Sequence, residues 1–102
     1  MSPTQRSLAF LRGRGYRVAI CEHWNHYAQK RQDLWGIIDL LAIKPGEVLG
    51  VQVTSYSNVS KHLTKIAESE AAPDIRAAGI KIEVHGWHKN GKVWEPRVVS
   101  VD

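Results

Sequence analysis

The sequence predicts a single α/β domain built on a mixed, mostly antiparallel sheet. Three observations predict it. Five runs of apolar, aromatic and β-branched residues, at 16–24, 35–43, 48–54, 80–87 and 92–101, have strand length and are bounded by turn residues. Pro45-Gly46 and Asn90-Gly91 sit between neighbouring runs as hairpin signals. Between the third and fourth runs the apolar period changes: Val59, Leu63 and Ile66 recur at helical spacing.

In chain order, residues 3–11 carry Leu8, Phe10 and Leu11 among helix-tolerant neighbours, with Ser2 as N-cap, Pro3 in the first turn and Gly13 and Gly15 as stops. A first strand follows at 16–24, from Tyr16, Val18, Ile20 and Trp24. The polar stretch 25–32, with Lys30 and Arg31, reads as a loop or a widened hairpin end. Strands at 35–43 and 48–54 flank Lys44-Pro45-Gly46-Glu47, and 58–70 is an amphipathic helix capped by Ser57 or Asn58. Pro73 and Asp74 open a further helical turn that Gly79 closes. The helix between the third and fourth strands serves as a right-handed crossover. Across Asn90-Gly91, Trp87 would face Trp94 as a cross-strand aromatic pair.

The 102 residues fit one domain, 1–102, and the 43% hydrophobic and 24% charged shares are those of a globular chain rather than a disordered or membrane one. No apolar run reaches a membrane span, so no membrane partner is expected. The arginine-dotted N-terminus does not read as a signal peptide, which predicts a cytoplasmic location. The lone cysteine, Cys21, has no disulfide partner and reads as a small buried apolar residue. The five histidines lack a zinc-type spacing with cysteine. A net charge of +4 suits an anionic partner, nucleic acid being the commonest.

Two residues break the apolar runs. If Ile43 faces Val48 across the Pro45-Gly46 turn, counting back sets Asp39 opposite Gln52, on the same sheet face as Thr54. A carboxylate away from water costs several kcal/mol, roughly, unless it is compensated. Either the two form a hydrogen-bonded pair on a solvent face, or the cluster holds a cation such as Mg²⁺, which takes oxygens from one or two carboxylates or carbonyls.

The run Gly36-Ile37-Ile38-Asp39-Leu40-Leu41-Ala42-Ile43, then Val48-Leu49-Gly50-Val51-Gln52-Val53-Thr54, resembles the PD-(D/E)XK nuclease superfamily. It looks most like its small Holliday junction resolvase and VRR-type branch, in which a glycine precedes the metal-binding aspartate by three. The resemblance spans residues 2–87. It implies a restriction endonuclease-like α-β-β-β-α-β core, here with an extra C-terminal hairpin strand, and a Mg²⁺- or Mn²⁺-dependent endonuclease acting on DNA. Branched DNA, a phage-associated role and a homodimer for symmetric two-strand cutting are its further implications.

Carried over position by position, Asp39 is the metal-binding aspartate, Gln52 takes the second acidic position and the Val53 carbonyl is a further metal ligand. Thr54 stands where the family has a lysine that orients the attacking water. Lys61 and Lys65, four apart on the following helix, could replace that lysine, as could Lys30 and Arg31; all four are also candidate phosphate contacts. Glu22 and Asp33 could supply the carboxylate that Gln52 lacks. Because Gln52 and Thr54 both depart from the pattern, an inactive nucleic-acid-binding module on the same fold is the alternative. A protein-interaction surface made by Trp24, Trp35, Trp87 and Trp94 is the third reading.

Overall fold

The computed structural model describes residues 1–101. Helix α1 (Pro3–Gly13) begins as the sequence predicts, with Ser2 Oγ accepting the Gln5 amide at 3.1 Å. Strand β1 (Arg17–Ile20) leads into a small separate hairpin of β2 (His23–Asn25) and β3 (Lys30–Gln32). Strands β4 (Leu40–Lys44) and β5 (Glu47–Ser55) form the second hairpin, and a short 3₁₀ turn, Tyr56–Asn58, runs into α2 (Val59–Ala67). Helix α3 (Ala71–Ala77) precedes the long hairpin of β6 (Ile80–Asn90) and β7 (Val93–Val101).

The five-stranded sheet has the order β1-β4-β5-β6-β7, with β5 and β6 parallel and the other pairs antiparallel. Two apolar layers hold it, which accounts for the near-continuous hydrophobicity of β5. On one face Leu11 and Tyr16 pack with Leu40, Ala42, Leu49 and Val51. On the other, Val59 and Ile66 of α2 and Ala72 and Ile75 of α3 pack with Ile37, Ile38, Ile82 and Val84. No described helix is long and apolar enough to cross a membrane.

Three sequence expectations need correction. The first strand does not run on to Trp24, because the chain leaves the sheet after Ile20 and folds back as β2–β3; Cys21, at that exit, is half-buried rather than buried. The second strand is shorter than 35–43. Leu34 and Ile38 bridge a tight turn in which Trp35 (φ 54°) and Gly36 (φ 76°) are both left-handed, so extended backbone starts only after it. Finally, Trp87 does not face Trp94. The β6–β7 loop is Gly91-Lys92, with Gly91 at φ 63° and Asn90 still in the ladder opposite Val93, so Trp94 pairs with Lys89 and Trp87 with Pro96.

Two glycines mark close approaches. A Cβ at Gly50 would lie 2.7 Å from Ile38 Cδ1, so Ile38 packs directly on β5 and fixes the chain just before Asp39. At Gly86 a Cβ would collide with the Val59 side chain and come within 3.2 Å of Tyr56 Cα. Gly86→Ala is expected to cost about 1–3 kcal/mol, read as a lower urea midpoint with unchanged slope.

At the far end of the sheet Glu47 accepts from the Tyr16 hydroxyl (2.8 Å) and Lys81 Nζ (3.0 Å), which lower its pKa from 4.5 to about 2. A carboxylate depressed by folding adds stability above pH 4.5 that is lost as pH falls toward 2. Thermal melts across that window should show a steeper acid loss for wild type than for Glu47→Gln.

Candidate functional site around Asp39

The β4–β5 ladder has the register that the Pro45-Gly46 turn predicts, from Lys44 opposite Glu47 to Leu40 opposite Val51. It stops one residue short of Asp39. There the Asp39 amide donates to the Val51 carbonyl (2.9 Å), one step out of register, and its carbonyl accepts the Cys21 amide (2.8 Å). The backbone of Asp39 is thus pinned between β5 and the segment leaving β1. Its Oδ2 accepts the Val53 amide at 2.8 Å, so the carboxylate substitutes for the missing strand at the end of the ladder. The N–H and C=O of one strand residue point to the same edge, which turns the Val53 carbonyl toward Asp39 as well.

Asp39 and Gln52 therefore meet beyond the end of the ladder rather than as a ladder pair. Both line a cavity of about 170 Å³, together with Glu22, Arg31, Gln32, Asp33, Val53, His62 and Lys65. Asp39 is 6% exposed and Gln52 1%. Burial raises the Asp39 pKa from 3.8 to about 6; the Val53 amide opposes the rise, and the charges of Glu22 and Asp33 add to it. Gln52 Oε1 is buried without a hydrogen-bond partner, and so is His62 Nδ1. Burial, then the charges of Lys65 and Lys61, lower the His62 pKa and keep the ring neutral near pH 7.

The cations around the cavity are held loosely. Arg31 pairs with Glu22 at 3.1 Å and Lys65 with Asp33 at 3.9 Å, with half or more of each basic side chain exposed. Exposed pairs of this kind contribute little, so either cation can exchange its carboxylate for a phosphate. A second, wider cavity of about 480 Å³ opens beside the first and shares Arg31, Gln32, Asp33 and Lys65 with it; Lys30, His23, Trp35 and Gly36 complete its wall.

Of the residues picked out in sequence, Asp39, Gln52, Val53, Arg31, Lys65, Glu22 and Asp33 come together at the inner cavity, and Lys30 stands at the outer one. Lys61 lines neither. His62 and Lys65 form the helix face turned to the cavity, and Lys61, about 100° round from His62, is exposed. Thr54 is 9% exposed and lines neither cavity. Its ladder partner Gly86 lies under Tyr56 and Val59, so the turn into α2 covers this end of β5. His62 is the site residue that sequence reasoning missed, and its position three residues before Lys65 on one helix face was the available signal.

These residues could hold a divalent cation. Asp39, Gln52 and Val53 line one cavity and carry hard oxygen donors, and Gln52 Oε1 has no hydrogen-bond partner. Among the described residues there is no group of three or more His, Cys, Asp or Glu side chains arranged as a metal cage, so amide and carbonyl oxygens and waters would complete the shell.

A second polar cluster lies on the opposite face. Ser7 Oγ is 3.0 Å from His85 Nδ1, and His85 Nε2 is 3.1 Å from Glu83 Oε1. The order serine, histidine, carboxylate is that of an acyl-transfer triad. Yet Ser7 and His85 are both fully buried, and the serine oxygen also accepts Trp87 Nε1 at 2.8 Å. No substrate carbonyl can reach that oxygen. The cluster ties α1 to β6.

No protein-family model, curated protein or solved structure matches this chain.

Proposed function

We propose that the protein is a metal-dependent, nuclease-like phosphodiesterase acting on DNA. One observation carries this reading: the buried Asp39 and the buried Gln52, whose Oε1 has no hydrogen-bond partner, line one cavity together with basic side chains. The element order supports it, since α1, β1, β4, β5, α2 and β6 follow the helix, three strands, helix and strand that the PD-(D/E)XK resemblance calls for. The cation would sit on Asp39, Gln52 and the Val53 carbonyl, where it would polarise a phosphodiester and lower the pKa of a bound water.

The chain's own groups have separable roles. Asp39 lines the cavity with its Oδ2 held by the Val53 amide. Arg31 and Lys65 exchange their carboxylate partners for the phosphate backbone, and Lys30 extends the contact outward. Lys65 and His62 are the groups in the cavity wall that can stand in for the lysine absent at Thr54. Lys65 supplies charge beside a phosphate, while the neutral His62 ring can accept a proton. Cutting both strands of a duplex would take two copies.

The burial of Thr54 favours a second reading, a DNA-binding module on the same frame, because no side chain from that position reaches the cavity. Incubation with linear and four-way DNA in Mg²⁺ or Mn²⁺ separates the two. The nuclease reading expects cleavage by wild type that Asp39→Asn abolishes while DNA binding survives. Inert wild type that still binds DNA with a salt dependence would establish the binding module. Neither cleavage nor salt-dependent binding would sink both.

A further inference from the structure

We infer that the site receives single-stranded DNA, its bases stacking on the aromatic side chains of the β2–β3 hairpin and the Leu34–Ile38 turn. This rests on the DNA reading above and specifies the strand that enters. Trp24, Tyr27 and Trp35 are 51%, 102% and 55% exposed, all within twelve residues of sequence. Folding gains nothing from leaving two indoles and a phenol in water, and such exposure beside a cavity marks a binding surface.

Their surroundings are built for it. Trp24 is the ladder partner of Arg31, so the indole lies beside the cation that borders both cavities. Trp35 lines the outer cavity with Lys30, Arg31 and Lys65. Its backbone is left-handed (φ 54°), a conformation that a bulky side chain rarely adopts. That strained turn leaves the indole in solvent at the cavity wall instead of in the core. Tyr27 lies at the hairpin tip, whose shape comes from Asn25: its Oδ1 accepts the Tyr27 and Ala28 amides at 2.9 and 3.0 Å, and its Nδ2 donates to Gln32 at 2.8 Å. The hairpin is therefore ordered by backbone and amide contacts, with its aromatic rings free.

Alternating cations and open aromatic faces match a strand whose bases are unstacked from a partner. The phosphates take the cations, and each base can cover a ring whatever its sequence. In a continuous duplex the base faces are hidden, and three exposed rings would find nothing to stack on. The unpaired strand would pass the outer cavity and bring a phosphodiester to Asp39.

The test is fluorescence anisotropy with labelled oligothymidylate and with a duplex of the same nucleotide count, at several salt concentrations, together with quenching of tryptophan emission. Wild type should bind the single strand about tenfold or more tightly than the duplex, with quenching. Trp24→Ala and Trp35→Asn should each lose about tenfold for the single strand and leave duplex binding and the salt slope unchanged. Tyr27→Ala, at a fully exposed position that cannot disturb the fold, should lose single-strand affinity in the same sense. Arg31→Ala should weaken both ligands and lower the salt slope. Equal affinity for both forms, or aromatic variants that bind the single strand like wild type, would overturn the inference while leaving the DNA reading intact. No salt-dependent binding of either form would overturn the DNA reading and the inference with it.

Discussion

Asp39→Asn is expected to stabilise the protein by about 3 kcal/mol at neutral pH when divalent cations are chelated. The carboxylate is buried at the cavity with Glu22 and Asp33 close by, and its pKa rises from 3.8 to about 6. A pKa raised by folding means that the folded state binds the proton more tightly. Stability from this group is therefore full below pH 3.8 and is lost as pH rises through 6. The amide keeps an acceptor for the Val53 N–H and carries no charge into the cavity, so the variant should lack that loss. Urea denaturation with a chelator, at about pH 5 and about pH 7.5, should show a wild-type decline between the two that the asparagine variant does not share. A carboxylate that destabilises the fold it sits in is what a site retained for ligand chemistry looks like.

Ser7→Ala is expected to cost about 2–4 kcal/mol, although it removes one oxygen atom. Trp87 Nε1 donates to that oxygen, and the hydroxyl in turn bonds His85 Nδ1. The Glu83 carboxylate accepts from Nε2, which places the imidazole proton there and leaves Nδ1 to accept the Ser7 hydroxyl proton. The truncation leaves an indole N–H and an imidazole nitrogen buried and unsatisfied, each at about 1–3 kcal/mol. Chemical denaturation reads the loss, and near-ultraviolet circular dichroism reads the loosening around Trp87. The proposed cation site at Asp39, on the other side of the sheet, should be unaffected.

Much of the sheet was legible because a short turn and a period-two pattern specify register. Pro45-Gly46 sets Ile43 opposite Val48, and the pairs follow back to Leu40 and Val51. What the pattern does not contain is where a ladder ends. The left-handed pair Trp35-Gly36 and the packing of Ile38 over Gly50 shift Asp39 one step out of register, and neither is written in hydrophobic alternation. The same limit explains the hairpin tip: Asn90-Gly91 and Gly91-Lys92 are both chemically acceptable turns, and the choice moves every facing pair along β7. Helix spacing showed that Lys61 and Lys65 share a face but not which face meets the cavity. That depended on Val59 and Ile66 entering the core, which turns His62 and Lys65 toward Asp39. The Asp33 and Glu22 ion pairs joined residues far enough apart in sequence that no local pattern linked them to particular cations.

Calorimetric titration of Mn²⁺ into wild type, Asp39→Asn and Gln52→Glu tests the cation site directly. The site built from Asp39, Gln52 and the Val53 carbonyl predicts one saturable event in wild type, its loss in Asp39→Asn and its tightening in Gln52→Glu, where a second carboxylate joins the shell. Saturable binding that Asp39→Asn leaves unchanged, or no binding by wild type or Gln52→Glu at millimolar Mn²⁺, would contradict it.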